Sequence, residues 1–135
     1  MKLTRASIYA IHAVAFMAAQ KQNLPTASHA IARARGIPER FLLKVLKPLV
    51  SARVLLSLKG PHGGYRLARS PSQITLLEIV EAVDGPLRGQ VSFRGGPGND
   101  PMDRRLEAIC NQIVEQMRKQ LQKVRISDLA SPSRR

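Results

Sequence analysis

Apolar residues along this chain of 135 recur at helical spacing in some stretches and alternate in others, and those switches divide it into elements. Leu3, Ile8, Ile11, Val14, Ala15 and Ala18 form one stripe, so a first helix is expected from Leu3 to Gln20, with Thr4 as its cap. The turn Asn23-Leu24-Pro25-Thr26 follows, and Thr26 or Ser28 is expected to cap a second helix that Gly36 ends. Pro38 opens a third helix at the position where a missing N–H does least harm. Its expected packing face is Phe41, Leu42, Val45, Leu46 and Leu49, while Arg40, Leu43, Lys44 and Lys47 fall on the other side. Pro48 should kink or shorten the last turn. Two short helices joined at Arg35-Gly36-Ile37, with Ile31, Ile37, Leu42 and Val45 turned inward, make the pattern of a helix-turn-helix.

The spacing then changes to that of a hairpin. Leu55 to Lys59 and Tyr65 to Ala68 flank Gly60-Pro61-His62-Gly63-Gly64, whose glycines supply the backbone angles of a tight loop. A fourth helix follows, with Thr75 and Glu78 as a capping box and Ile74 against Ile79 as a hydrophobic staple, running to about Val83 before Asp84-Gly85-Pro86. Residues 86–100 are Gly-rich and lack helical periodicity, which predicts a flexible loop. Asp100 and Pro101 then start a long helix with an apolar stripe of Met102, Leu106, Ile109, Ile113, Met117, Leu121 and Val124. Such a stripe is longer than one small domain needs, so the six residues from Leu106 to Val124 are expected to pack on a second copy of the chain. The expected fold is mainly α with a small β wing. It comprises a winged helix-turn-helix over 1–85, the loop 86–100, a dimerisation helix over 101–126 and a tail over 127–135.

Charge sharpens this picture. The chain carries 22 Lys and Arg against 9 Asp and Glu, and residues 1–72 hold twelve of the basic residues with Glu39 as their one acid. That half has a net charge of +11, and residues 73–135, with ten basic and eight acidic residues, only +2. A basic surface kept merely for solubility would not avoid the C-terminal half. The excess lies where a nucleic-acid backbone would lie, and double-stranded DNA is the expected partner.

The opening MKLTRASIYAIHAVAFMA, the turn and helix RGIPERFLLKVLKPLVSARVL, the wing SLKGPHGGYRLAR and the following ITLLEIVEAVDGP together resemble the Rrf-two family of bacterial transcription factors. The likeness is close over residues 1–87 and looser in the last helix, and the wing motif GPxGGYxL is its most specific part. It implies a winged-helix homodimer that acts on a palindromic operator, and repression is the expected role. The candidate DNA-facing set is Arg5, Ser28, Pro38, Glu39, Arg40, Phe41, Leu43, Lys44, Lys47, Ser57, Lys59, His62, Tyr65 and Arg66. Within it, Arg40 and Lys44 can donate to guanine, and Phe41 or Leu43 can touch a thymine methyl. Some relatives carry a cytosine-reading glutamate at the place of Leu43, and an arginine at the place of Lys59. Operator preference should therefore differ from theirs.

The resemblance also implies an iron–sulfur cluster on three cysteines before the last helix, but residues 84–105 contain none. Cys110 is the single cysteine, which excludes an intramolecular disulfide. His12 with Cys110 across a dimer leaves only a thin version of a metal site, so no cofactor is expected. Cys110, within two turns of Arg104 and Arg105, leaves open a thiol redox switch. His12, beside the first stripe, reads as an interior or interface residue. No P-loop, nucleophile elbow, paired carboxylates or metal-spaced histidines occur, and the chain is not expected to be an enzyme. The competing reading is a winged-helix adaptor for a protein or an RNA. The apolar run Ile8–Ala19 is interrupted by His12, no run of 18 apolar residues follows, and a cytoplasmic location without membrane contact is expected.

Overall fold

Small side chains decide how the first helix packs. In the computed structural model, which describes residues 1–89 and 100–130, α1 (Arg5–Ala18) buries Ser7, Ala10, Ala13, Val14 and Met17. The expected stripe is therefore rotated: Ile8 is exposed, and Ile11, Ala15 and Ala18 are half-buried. An alanine-rich helix is apolar nearly all round, so periodicity marks its closest-packing face poorly; the face on which Ser7, Ala10 and Ala13 are small approaches its neighbours. Thr4 caps this helix by accepting from the Ser7 N–H at 3.0 Å, as its position suggested. His12 is exposed rather than interior, and its Nδ1 accepts from Arg35 Nη2 at 2.6 Å.

The helix-turn-helix comprises α2 (Ser28–Arg35) and α3 (Glu39–Ser51). Gly36 ends α2 in the left-handed conformation (φ 67°), which glycine adopts without a Cβ penalty. Neither Thr26 nor Ser28 caps α2. Ala27 occupies the cap, Thr26 pairs through its backbone with Tyr65, and Ser28 lies inside the first turn. Pro38 stands at the cap of α3, one residue before its expected place. Ile31, Ile37, Leu42, Val45, Leu46 and Leu49 are all buried, whereas Phe41 lies outside the packing face. The four buried α3 residues already fill the inward stripe, and position 41 falls at its edge. Pro48 does not shorten the helix, which continues to Ser51.

The wing is β1 (Leu55–Leu58) paired antiparallel with β2 (Gly64–Leu67), in a register of Leu55 with Leu67 and Leu58 with Gly64. Lys59 and Ala68, expected within the strands, lie just outside them. The segment before α2 extends the ladder on the far side of β2. Thr26 exchanges backbone hydrogen bonds with Tyr65 at 2.8 and 2.9 Å, and the Asn23 side-chain amide brackets the Leu67 backbone at 2.9 and 3.0 Å. A Cβ on Gly64 would stand 2.4 Å from the Thr26 carbonyl oxygen, so only glycine fits between these two backbones.

After a single 3-10 turn (Pro71–Gln73), α4 (Leu76–Asp84) opens with the expected capping box, and both Ile74 and Ile79 are buried. Gly85 ends it. The Asp84 carboxylate, at its C-terminus, accepts from the hydroxyls of Thr4 and Ser7, the latter at 2.7 Å, and thereby joins α4 to the start of α1. Asp100 caps α5 (Pro101–Lys123), which packs on α4 through an ion pair between Arg118 and Glu81. The chain does not trail away from there. Val124 leaves the helix, its carbonyl accepts from the Leu76 N–H at 2.8 Å, and α6 (Ile126–Leu129) inserts the fully buried Ile126 into the core. The long helix is thus shorter than expected, and part of the expected tail is a helical turn. A single buried isoleucine after a polar stretch carries no periodicity, so sequence pattern could not reveal it. Most of the Gly-rich loop (90–99) and residues 131–135 of the tail lie outside the described residues.

Candidate nucleic-acid interface

With Leu42, Val45, Leu46 and Leu49 committed to the core, helical geometry turns Glu39, Arg40, Leu43, Lys44 and Lys47 to solvent. Phe41 and Leu43 are 38% and 44% exposed, high for large apolar side chains. The Phe41 ring is not loose. The Arg40 guanidinium lies 5.2 Å and the Lys44 ammonium 5.7 Å from its centroid, so two cations and one aromatic form a unit on the exposed face.

Arg5 joins this face from α1. Together with Ala6, Tyr9, Phe41, Lys44 and Val45 it lines an open cleft of about 230 Å³ between the two helices. Tyr9 lies outside the expected DNA-facing set. Its signal was its place one turn after Arg5, which only matters once α1 and α3 are known to run side by side. Ser28 is half-buried and donates to Glu39 Oε2 at 2.8 Å, which links the first turns of α2 and α3. Pro38 is exposed at the α3 cap.

In the wing, Ser57, Lys59 and His62 are exposed, and Lys59 and His62 lie at the turn between the strands. Tyr65, opposite Ser57, is half-buried against the core. Arg66 does not join the α3 row. It lines a separate depression with Met17, Lys21 and Arg69 at the other end of α1. The pleat explains this: Leu55 and Leu67 turn inward, so Leu56 and Arg66, one position along, turn to the opposite side.

One ion pair sets the base of the wing. Arg69 donates to both Glu78 carboxylate oxygens, at 2.6 and 3.1 Å, and to the carbonyls of Gln73 and Arg53 at 2.9 and 3.2 Å. Burial pushes the Glu78 carboxyl up. The Arg69 hydrogen bonds and charge and the Thr75 N–H and hydroxyl together outweigh it, holding the group below the ordinary glutamate range. The same hydrogen bond to Glu78 raises the Arg69 guanidinium against the opposing effect of burial.

On α5 the expected interface row is divided. Met102, Leu106, Ile109 and Ile113 are 43–63% exposed, Met117 is half-buried, and Leu121 is buried within its own chain. Val124, half-buried and past the helix end, is occupied by its backbone contact with α4. Leu121 and Val124 therefore anchor α5 to the winged helix rather than extend the exposed row.

An exposed, cation-rich second helix of a helix-turn-helix beside a two-stranded wing defines a winged-helix DNA-binding protein. Comparison with known proteins agrees. Residues 3–132 match the model of the Rrf2 family, described as an iron-dependent transcriptional regulator, and the chain belongs to that family. Protein aau3 of Rhizobium meliloti is 34% identical over 102 residues, covering 76% of this chain and 66% of that protein. An HTH-type transcriptional regulator of Mycobacterium tuberculosis is 27% identical over 132 residues, 96% of this chain and 81% of the relative. The solved structure of CymR, the global cysteine regulator of B. subtilis, superposes with a TM-score of 0.78 at 25% identity, covering 99% of both chains. The chain is thus a transcriptional regulator of the Rrf2 family.

The donor set for iron is poor. Cys110 is half-buried, the Nδ1 of His12 accepts from Arg35, and among the described residues no three His, Cys, Asp or Glu side chains converge. Residues 90–99 contain none of these four residue types. Thiolates within one chain therefore do not fit a cluster of the multi-cysteine kind. Among the described residues no helix is long and apolar enough to cross a membrane.

Proposed function

We propose that this regulator binds a palindromic operator as a homodimer, acts as a repressor, and does so without an iron–sulfur cluster. The observation that carries the reading is the row Arg40, Phe41, Leu43, Lys44 and Lys47 on α3, exposed beside Arg5, in a half of the chain with a net charge of +11. The N-terminal half of such a helix enters the major groove, where Arg40 and Lys44 donate to guanine edges and the Phe41 ring meets a thymine methyl. Lys59 and His62, at the wing turn, reach the adjacent minor groove and backbone. Ser57, Tyr65 and Lys47 contact phosphates through their side chains, as Arg66 does if the duplex bends towards the far side of the wing, and Ser28 does so through its backbone N–H at the start of α2.

The test is a fluorescence titration of anaerobically purified protein against operator and scrambled duplexes at several salt concentrations, with iron and sulfide assayed in the same sample. Replacing Arg40 or Lys44 with alanine is expected to weaken operator binding by about 1–3 kcal/mol and to affect scrambled DNA far less. Replacing Lys59 should weaken both and lower the salt slope by about one unit. Three variants that bind both duplexes like the parent would refute this DNA face and favour an adaptor. Stoichiometric iron and sulfide would refute the cluster-free reading.

A further inference from the structure

Glu39 is the one acidic residue in the first 77 positions, and it stands exposed on the first turn of α3, next to Arg40. The N-terminal end of the α3 dipole favours a carboxylate in that turn, but a surface shaped only for phosphate affinity gains nothing from it. A carboxylate facing a duplex repels the backbone; it meets only acceptors at guanine and at the thymine carbonyl, and at adenine an amine flanked by the repelling N7 acceptor. Its desolvation is offset only where a base offers a donor.

The side chain is also held. Ser28 Oγ, in the first turn of α2, donates to Glu39 Oε2 at 2.8 Å, while Oε1 accepts no hydrogen bond among the described residues. No Lys or Arg forms an ion pair with it among the described residues, although Arg40 is its neighbour in sequence. A fixed, unneutralised carboxylate with a free oxygen on a cationic surface is an acceptor awaiting a donor. Leu43 lies one turn further along the same face and offers no polar atom of its own.

We propose that Glu39 is a specificity-determining residue of the operator interface: its carboxylate, positioned by Ser28, accepts from the exocyclic amine of a cytosine in the major groove and penalises other bases there. The proposal rests on the DNA-binding reading above. It differs from a simple contact because the same charge must weaken binding to DNA at large. Removing it should tighten non-specific binding and blur one position of the operator.

The experiment selects bound sequences from a random-duplex pool with the full-length parent, Glu39→Gln, Glu39→Ala and Ser28→Ala, and titrates each against the selected and scrambled duplexes. Thermal melts are run on all four. For the parent, one cytosine per half-site is expected to be fixed by Glu39. In Glu39→Ala that position becomes degenerate while the others persist, and discrimination against its mismatch falls roughly tenfold. Glu39→Gln shifts the preference there towards adenine, which a glutamine amide can bracket. Both variants bind scrambled DNA more tightly than the parent. Ser28→Ala loses part of the discrimination at the same position only. A uniform loss on all duplexes, or an unchanged set of fixed positions, would make Glu39 a tether between α2 and α3 and overturn the proposal. A parent that selects no sequence and shows no salt-dependent duplex binding would overturn the DNA reading itself.

Discussion

Arg53 is the only non-glycine among the described residues with a positive φ, at 62°. It lies between Ala52, at the cap of α3, and the buried Val54, where the chain must turn from helix into wing within two residues. A left-handed conformation costs a residue with a Cβ about 1–2 kcal/mol, and glycine escapes that penalty but loses more chain entropy on folding. Arg53→Gly is therefore expected to stabilise the protein by about 0.5–1 kcal/mol, read as a higher urea midpoint with an unchanged slope. A lower midpoint would mean that the arginine side chain does more for the fold than its backbone angle costs. Gly36 has the same kind of backbone angle, and there the residue type announced it. At Arg53 nothing did, because the demand comes from the elements on either side. His12 and Phe41 show the same limit: apolar neighbours in sequence suggested burial, and each instead lies at the surface beside a cation, Arg35 for His12 and Arg40 for Phe41.

Between elements, short-range signals were legible and their second uses were not. The Thr75–Glu78 box, the Asp100 cap and the Gly85 stop depend on residues within one turn of each other, so the sequence carries them in full. That Glu78 also receives Arg69, nine residues earlier, depends on how the wing returns to α4, which no local pattern encodes. The same is true of Arg66, whose side of the wing was set by register. The Arg69–Glu78 pair makes stability depend on pH. The folded state holds Glu78 below its ordinary value, so the stabilisation is complete above the ordinary glutamate range. It is lost as the pH falls through the lowered value and the carboxyl protonates. Unfolding by urea at a series of pH values should show parent stability declining on the acid side. Glu78→Gln should be less stable near neutrality and lose less on acidification. A parallel decline in parent and variant would assign the acid sensitivity to groups other than this pair.

At the scale of the molecule, α5 has two ends with different work. Its C-terminal part is fastened to the winged helix by Arg118 on Glu81, by the buried Leu121 and by α6. Its N-terminal part holds Met102, Leu106, Ile109 and Ile113 at 63, 43, 52 and 53% exposure. Four large apolar side chains in one row over about three turns form a patch that water disfavours and a second copy would cover. Self-association along this row suits a palindromic operator, since a two-fold axis on α5 would present two α3 helices to two half-sites. Ile113 is the best position for a test. It is exposed in the protomer, so a charge there leaves the core intact, whereas Met117 is half-buried and would confound folding with assembly. Each side chain occurs twice across a two-fold interface, and burying one isoleucine is worth about 1.5–3 kcal/mol. Ile113→Glu should therefore weaken the dimer by roughly 3 kcal/mol or more, or over a hundredfold in Kd. Sedimentation at micromolar concentration is expected to find a dimer for the parent and a monomer for the variant, with melting temperatures close together. Operator affinity should fall steeply while affinity for a single half-site changes little. A monomeric parent would remove the two-fold model, and a dimeric variant would move the interface away from this row.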